Sequence, residues 1–317
     1  MKHIYNLSEA TLDQPSIVTI GMFDGVHRGH QHLLAPLVAE AHAAGRLAVV
    51  LTLFPHPDIV LRGLTGRHYL TNSEQKAELL GELGVDVVIT HPFDDTVRQI
   101  RAADFVDQLL KHLKMTSLWL TADFAMGHKR EGNFAYLTAQ GAEKGFEVRQ
   151  IDLLSTSTDN VISVISSSKI REALRAGNVE QAAEWLGRPY RVEGPVVHGD
   201  HRGRELGFPT ANTDVWSEQV LPANGIYACW ALLGAERFMA MTNVGIRPQF
   251  GGTNVIVEPY LLDFNRDIYG QKLRVDFVKR LRDEAKFSSV DALVQQIHAD
   301  VEQGRAILSA LASSARS

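Results

Sequence analysis

Cysteine is nearly absent: Cys229 is the single thiol in 317 residues. One thiol can build neither an internal disulfide nor a thiolate metal cluster. That fits a reducing compartment and makes a small core side chain the expected role of Cys229. An excess of positive charge is missing as well. Lys and Arg number 32 against 37 Asp and Glu, a formal net charge of -5 at pH 7. That balance does not describe a general nucleic-acid binder, although a local basic patch fits within it. No apolar run approaches the roughly 20 residues that cross a bilayer. The opening MKHIYNLSEATLDQ lacks the apolar stretch of a secretory signal. Internal repeats and low-complexity tracts are missing too. The expectation is a soluble cytoplasmic protein with no nucleic-acid and no membrane partner, and the sequence leaves a homo-oligomer open.

What is present is the material of packed domains. Apolar residues make up 45% and charged residues 22%, with both signs interspersed, which argues against long disorder. The length exceeds one core and predicts two domains. In the first half, β-branched runs at Ser16–Gly21, Leu47–Leu53, Val85–Thr90 and Ser117–Thr121 alternate with helical patterns. Those patterns run from His30 to Gly45, from the Thr71–Glu74 capping box through Leu80, over Ala102–Leu113 and over Asn133–Lys144, and Glu147–Ile151 adds another strand. Such alternation predicts a doubly wound α/β sheet with ligands at the carboxyl ends of its strands. After Gly187-Arg188-Pro189 the pattern changes to short strands: Tyr190–Val197, Gly225–Leu233, Phe238–Val244, Asn254–Phe264 and Lys272–Val278. A helical period returns at Ser289, with Val290, Leu293, Val294, Ile297 and Val301 on one face. This half predicts a small antiparallel barrel or sandwich closed by a C-terminal helix, with the boundary near residue 187.

Gly21–His30, GMFDGVHRGH, follows the first strand and runs into a helix. The helix's free N–H groups and positive dipole would face this loop. Gly21, Gly25 and Gly29 allow close backbone approach to a ligand. His27 and His30 could donate to triphosphate oxygens and stabilise charge on an α-phosphate as pyrophosphate leaves. The same residues also fit two surface histidines at a helix entry, whereas zinc lacks a third ligand at metal spacing. Ser166, Ser167 and Ser168 open a helix, so hydroxyls, N–H groups and Arg171 fit either a triphosphate site or an ordinary N-cap. His56, between Pro55 and Pro57, reads alone as structural.

In the second half, Gly199, Gly203 and Gly207 permit a backbone-exposing loop suited to phosphates. Gly-Lys-Ser/Thr is missing, so it is not a Walker loop. If Pro209–Asn212 is extended, Thr210 and Asn212 share a side and offer Mg²⁺ a hydroxyl and an amide oxygen. A Gly-rich hairpin with a Pro-Thr-Ala-Asn turn fits equally. Glu258 precedes Pro259, which cannot donate to a ladder, so an edge or a bulge is expected there.

His27-Arg28-Gly29-His30 resembles the HxGH signature of the nucleotidyltransferase superfamily. The longer GMFDGVHRGHQHLL resembles, more narrowly, the prokaryotic bifunctional riboflavin kinase/FAD synthetase family. Phe54-Pro55-His56-Pro57 agrees, as do Leu70-Thr71 with Glu74, Lys76, Leu79-Leu80 and Gly84-Val85-Asp86, and Ile165–Arg171 against ISSTxIR. The later string through Gly207-Phe208-Pro209-Thr210-Ala211-Asn212 is similar to the kinase signature GRxLGFPTAN. Asn243–Gly252, Leu261–Phe264, Asp267–Gly270 and Leu281–Phe287 extend the match. Thr121–Gly127 departs from the family's GxDFxFG at Thr121 and Met126, and Ser168 stands where Thr is usual.

The resemblance implies a Rossmann-like FMN adenylyltransferase domain over 1–186 and a riboflavin kinase barrel over 187–317. It implies riboflavin phosphorylation by ATP to FMN, then adenylation of FMN by a second ATP to FAD with release of pyrophosphate, with Mg²⁺ at both sites. His27 and His30 would be catalytic in the first domain. Gly21, Phe23, Asp24, Gly25, Gly29, Ser166, Ser167, Ser168 and Arg171 would hold ATP there, and His56, Pro57, Asp123 and Phe124 flavin or nucleotide. In the second, Gly199, Gly203, Arg204, Gly207, Pro209, Thr210 and Asn212 would hold ATP, Thr210 and Asn212 also Mg²⁺, with Glu258 as base. The alternatives are a kinase with a weakened first site and a flavin-binding regulatory module.

Overall fold

Strands of continuous apolar character form where the sequence alternates with helical periods, because both faces of a parallel sheet are covered. A computed structural model of the chain describes residues 1–151, 155–158, 161–199, 203, 206–249 and 252–314, the side chains of 155–158, 161–164, 247–249 and 252–254 apart. The chain divides into one unit of Met1–Thr65 and Thr71–Ser166 and a second of Gly66–Leu70 and Ser167–Ser317.

The first unit runs β1 (Lys2–Ile4), β2 (Ser16–Ile20), α1 (Arg28–Ala43), β3 (Leu47–Phe54), α2 (Pro57–Arg62), α3 (Ser73–Glu82) and β4 (Val87–Pro92). It continues with α4 (Ala102–Leu113), β5 (Met115–Thr121), β6 (Ala125–Met126), β7 (Gly132–Asn133), α5 (Phe134–Lys144), β8 (Glu147–Ile151), β9 (Ser155–Thr158) and β10 (Val161–Val164). Six strands pair in parallel in the order β1-β4-β3-β2-β5-β8. Successive residues of β3 serve opposite faces, as period 2 requires. Val49 and Leu51 pack with Val18 and Ile89 on one side, and Val50 packs with Leu34 and Val88 on the other. β3 and β5 flank β2, so the loops after β2 and β5 leave the sheet at a topological switch point, where α/β sheets bind ligands.

α3 starts one residue later than its sequence pattern suggested. Its capping box joins Asn72 and Gln75 instead of Thr71 and Glu74. The Thr71 hydroxyl is engaged elsewhere, accepting the Gly25 N–H at 3.2 Å.

The second unit contains α6 (Ser167–Arg175), α7 (Val179–Leu186), β11 (Tyr190–Val197), β12 (Asn212–Thr213), β13 (Gly225–Leu233), β14 (Glu236–Gln249), β15 (Gly252–Leu261), β16 (Lys272–Arg282) and α8 (Val290–Ser314). The sheet closes as a barrel, β11-β12-β15-β14-β13-β16, with antiparallel neighbours. α6 and α7 precede residue 187 and fall within this unit. The Leu174 carbonyl accepts the Ala223 N–H at 2.9 Å, and Glu180 of α7 pairs with Lys279 of β16 at 3.2 Å. α8 lies over β13 and β14, where Leu308 and Val301 meet Ala228, Trp230 and Met241. Val290, expected on its apolar face, is 61% exposed.

Candidate functional sites in the two units

The loop Gly21–His30 turns sharply before α1. Phe23 and Val26 adopt positive φ, 47° and 42°, conformations costly for non-glycine residues and most of all for β-branched Val26. His27 is the N-cap of α1, its Nδ1 accepting the His30 N–H at 3.4 Å. The two imidazoles stack with centroids 3.6 Å apart, and Phe23 meets His30 edge-on at 5.1 Å. Burial, then the charges of His27 and Lys76, hold His30 well below the ordinary histidine range. His30 is therefore neutral at neutral pH and suited to donate one hydrogen bond. Its Nδ1 is buried with no protein partner among the described residues.

Polar groups brace this loop from below. The Asp24 carboxylate, 2% exposed, accepts the Thr71 N–H at 3.1 Å. Lys76 donates from Nζ to the Met22 carbonyl and to Thr52 Oγ1, each at 3.0 Å. Burial lowers its pKa to about 8, against the opposing pull of Asp24. Sequence reasoning passed over Lys76 as a site residue. The signal was present: it lies one turn before Leu80, on the core face of an amphipathic helix.

The other candidates of this half divide. His56 caps α2, its Nδ1 accepting the Asp58 N–H at 3.0 Å, with Pro57 as first helical residue. After β5, the Thr121 hydroxyl donates to Asp123 Oδ1 at 2.7 Å, and Arg130 donates to the Asp123 carbonyl at 2.9 Å. Phe124 packs against the sheet core. Lys129 and Arg130 carry positive φ, 53° and 61°, a second strained turn at the switch point. Gly21, Gly25 and Gly29 lie in the first loop. Ser166 ends the first unit, while Ser167, Ser168 and Arg171 belong to α6 of the second.

In the second unit, close packing fixes two glycines. A Cβ on Gly199 would stand 2.1 Å from Asn212 Nδ2, and one on Gly203 would stand 2.5 Å from the Phe208 carbonyl oxygen. Two cavities open here. One of about 290 Å³ is lined by Gly203, Pro209, Thr210, Asn212, Asp267 and Tyr269 among others. The other, about 280 Å³, includes Gly203, Thr210, Asn243, Glu258, Arg282 and Asp300. Gly203 and Thr210 border both, Asn212 only the first and Glu258 only the second. Thr210 and Asn212 thus line one cavity together. Gly207 lies in the connecting turn with φ 86°, and Arg204 lies outside the described residues.

Glu258 is at neither an edge nor a bulge. β15 lies between β12 and β14, and Asn243↔Glu258 and Thr242↔Pro259 continue an unbroken register. The Pro259 carbonyl accepts the Ala211 N–H at 2.9 Å. In a strand, a residue's nitrogen and carbonyl face the same neighbour. The missing donor of Pro259 therefore faces the chain around β12, whose ladder with β15 is confined to Thr213↔Val257. Asp300, which sequence reasoning missed, is 4% exposed and takes a bidentate contact from Arg282 at 2.9 and 2.7 Å. Its signal was weak, because an Asp on a helix usually reads as solvated.

Thr210 and Asn212 supply hard oxygen donors suited to Mg²⁺ held jointly with phosphates. Among the described residues no group of three or more His, Cys, Asp or Glu could hold a metal by itself.

Comparison with known proteins assigns the two halves separately. A family model described as FAD synthetase matches residues 9–167, and one described as riboflavin kinase matches 186–308. A bifunctional riboflavin kinase/FMN adenylyltransferase of Listeria monocytogenes is 35% identical over 98% of this chain and 99% of its own. That of Escherichia coli K12 is 38% identical over 95% of each. The crystal structure of a macrolide-efflux protein from Streptococcus pneumoniae superposes with TM-score 0.84 at 30% identity, over 96% of this chain and 98% of that one. Among the described residues no helix here is long and apolar enough to cross a membrane.

Proposed function

The chain belongs to the bifunctional riboflavin kinase/FMN adenylyltransferase family, and from that premise we propose how its own residues divide the two reactions. It phosphorylates riboflavin with ATP to FMN and adenylates FMN with ATP to FAD. A kinase with a weakened first site and a regulatory flavin-binding module are both less favoured, since both enzymatic domains match.

In the kinase, which the proposal assigns to 187–317, ATP occupies the cavity of Thr210 and Asn212, and riboflavin the cavity of Glu258. The wall shared at Thr210 and Gly203 carries this reading. The riboflavin 5′-hydroxyl attacks the γ-phosphorus, its proton passes to Glu258, and the bond to the ADP oxygen breaks. Gly199, Gly203, Arg204, Gly207 and Pro209 would bind the ATP phosphates, as the match to the kinase signature implies. Thr210 and Asn212 would hold Mg²⁺, which when bound neutralises phosphate charge.

In the adenylyltransferase, assigned to 1–186, a phosphate oxygen of FMN attacks the α-phosphorus of ATP and the bond to pyrophosphate breaks. Neutral His30 and its stacked partner His27 stabilise the charge that builds there. Gly21, Phe23, Asp24, Gly25 and Gly29 would hold ATP, and His56, Pro57, Asp123 and Phe124 flavin or nucleotide. The ISSSKIR match supports Ser166, Ser167, Ser168 and Arg171 as pyrophosphate binders. The same reading places Mg²⁺ with the second ATP and the protein in the cytoplasm.

Incubation with riboflavin and ATP-Mg²⁺, with FMN and FAD separated chromatographically over time, tests the assignment. FMN is expected first and FAD after it, and FAD directly when FMN is supplied. Failure to make FAD from supplied FMN would remove the first site from the scheme.

A further inference from the structure

Lys76 occupies a position where an apolar side chain would pack at lower cost. It is 2% exposed on the core face of α3, beside Ala77 and one turn from Leu80. Nζ donates to the Met22 carbonyl and to Thr52 Oγ1, each at 3.0 Å, and Thr52 Oγ1 itself donates to the Met22 carbonyl at 3.0 Å. That carbonyl thus receives donors from α3 and from β3. Among the described residues no carboxylate stands within ion-pair distance of Nζ. Asp24, whose charge acts on Lys76, accepts the Thr71 N–H. A buried ammonium without an ion-pair partner is expensive, and charges kept at such expense cluster at functional sites.

We infer that Lys76 is a positioning residue of adenylyl transfer: its ammonium fixes the Met22 carbonyl, and with it the turn carrying His27 and His30, and sets a fixed positive charge beneath the histidine pair. The loop it fixes holds two strained residues, Phe23 and Val26, which persist only where their surroundings over-determine them. The charge disfavours protonation of His30 and favours the polyanionic nucleotide. The titratable groups coupled to its charge are His3 of β1, Asp24 of the loop and His30 of α1, and His3 also lies in the field of Glu74 on α3. The inference rests on the first unit carrying adenylyl transfer.

The test compares the full-length chain with Lys76→Met and Lys76→Arg. For Lys76→Met we expect FMN adenylation at least tenfold slower, with a raised KM for ATP. Its thermal midpoint should be equal or higher, and its riboflavin phosphorylation unchanged. The His30 Cε1-proton resonance should titrate at higher pH than in the parent. Lys76→Arg should recover part of the rate. A purely structural lysine predicts the reverse pairing, in which midpoint and rate fall together and His30 does not shift. That result, or a rate within twofold of the parent, overturns the inference. If Lys76→Met fails to fold, Lys76→Gln against Lys76→Arg decides: equal adenylation rates in the two overturn it, and a faster arginine variant supports it. A parent protein that makes no FAD from FMN and ATP would instead refute the underlying assignment.

Discussion

In the first unit the candidate phosphate loop is held from beneath by buried polar groups: Lys76 and Thr52 donate to the Met22 carbonyl, the Thr71 N–H donates to Asp24, and the Thr71 hydroxyl accepts the Gly25 N–H. In the second it is held by the absence of side chains. Gly199 makes room for the Asn212 amide, and Gly203 lies against the Phe208 carbonyl. Polar bracing places the Lys76 charge near His30, so under the proposed assignment the first site is expected to respond to pH. The glycine contacts carry no charge, so under the proposed assignment the second site depends on shape, on the carboxylate of Glu258 and on the Arg282–Asp300 pair that lines the same cavity. One chain therefore supports two phosphate chemistries with different vulnerabilities.

The largest expected effect breaks the second site alone. Glu258→Gln should lower riboflavin phosphorylation by roughly 10²–10⁴-fold, the range for losing a positioned base, and leave adenylation of supplied FMN intact. Unchanged kinase turnover would exclude Glu258 as the base. His30→Ala is the converse break. FAD formation should fall roughly 10²–10³-fold, as when one transition-state donor is removed, while FMN still accumulates. Parallel loss of both products in a folded variant would contradict separate sites.

The steric half of the contrast is sharpened by Gly199→Ala. A methyl 2.1 Å from Asn212 Nδ2 must push that amide aside. Kinase turnover should drop roughly tenfold, and overpacking should cost about 1–3 kcal/mol in chemical denaturation. FAD synthesis from FMN should not respond.

The polar half is sharpened by pH. The Lys76 pKa in the folded state, about 8, lies below its usual 10.5. Below pH 8 both states bind the proton, and the native state bears the full cost of the buried charge. Between pH 8 and 10.5 the unfolded chain keeps the proton and the native state releases it, so stability rises with pH. The parent should therefore gain about 3 kcal/mol on Lys76→Met across that window. Urea denaturation of both at several pH values would show it, and a constant difference would refute it.

How much of this was legible from sequence depended on whether a residue acts within a local pattern. The parallel sheet was readable because Ser16–Ile20 and Leu47–Phe54 are continuous apolar runs. Capping of α3 slipped by one residue because Thr71 is used across the fold by Gly25, which no local pattern records. Lys76 was passed over although its place on the core face of α3 is a local signal, whereas Asp300 reads as a solvated helix residue until its partner Arg282, distant in sequence, is placed beside it. Pro259 was misread as an edge marker because the ladder it would have joined ends at Thr213↔Val257.

The smallest effect concerns the loop after β5, where the residues depart from the family pattern. The Thr121 hydroxyl holds Asp123 Oδ1 at 2.7 Å, an exposed contact worth about 0.5–1.5 kcal/mol. The loop has other supports. Arg130 holds the Asp123 carbonyl, Phe124 packs into the sheet core, and Glu131 takes Arg101 and the Ala102 N–H. Thr121→Gly, which restores the family residue, should therefore change FAD formation by less than about fivefold, since one such hydrogen bond is worth no more than roughly a factor of ten. It should leave FMN formation unaltered. A change well beyond tenfold in either direction would mean that Thr121 sets the rate of the first site, and that its loop depends on a single surface hydroxyl and not on the buried bracing found beneath Gly21–His30.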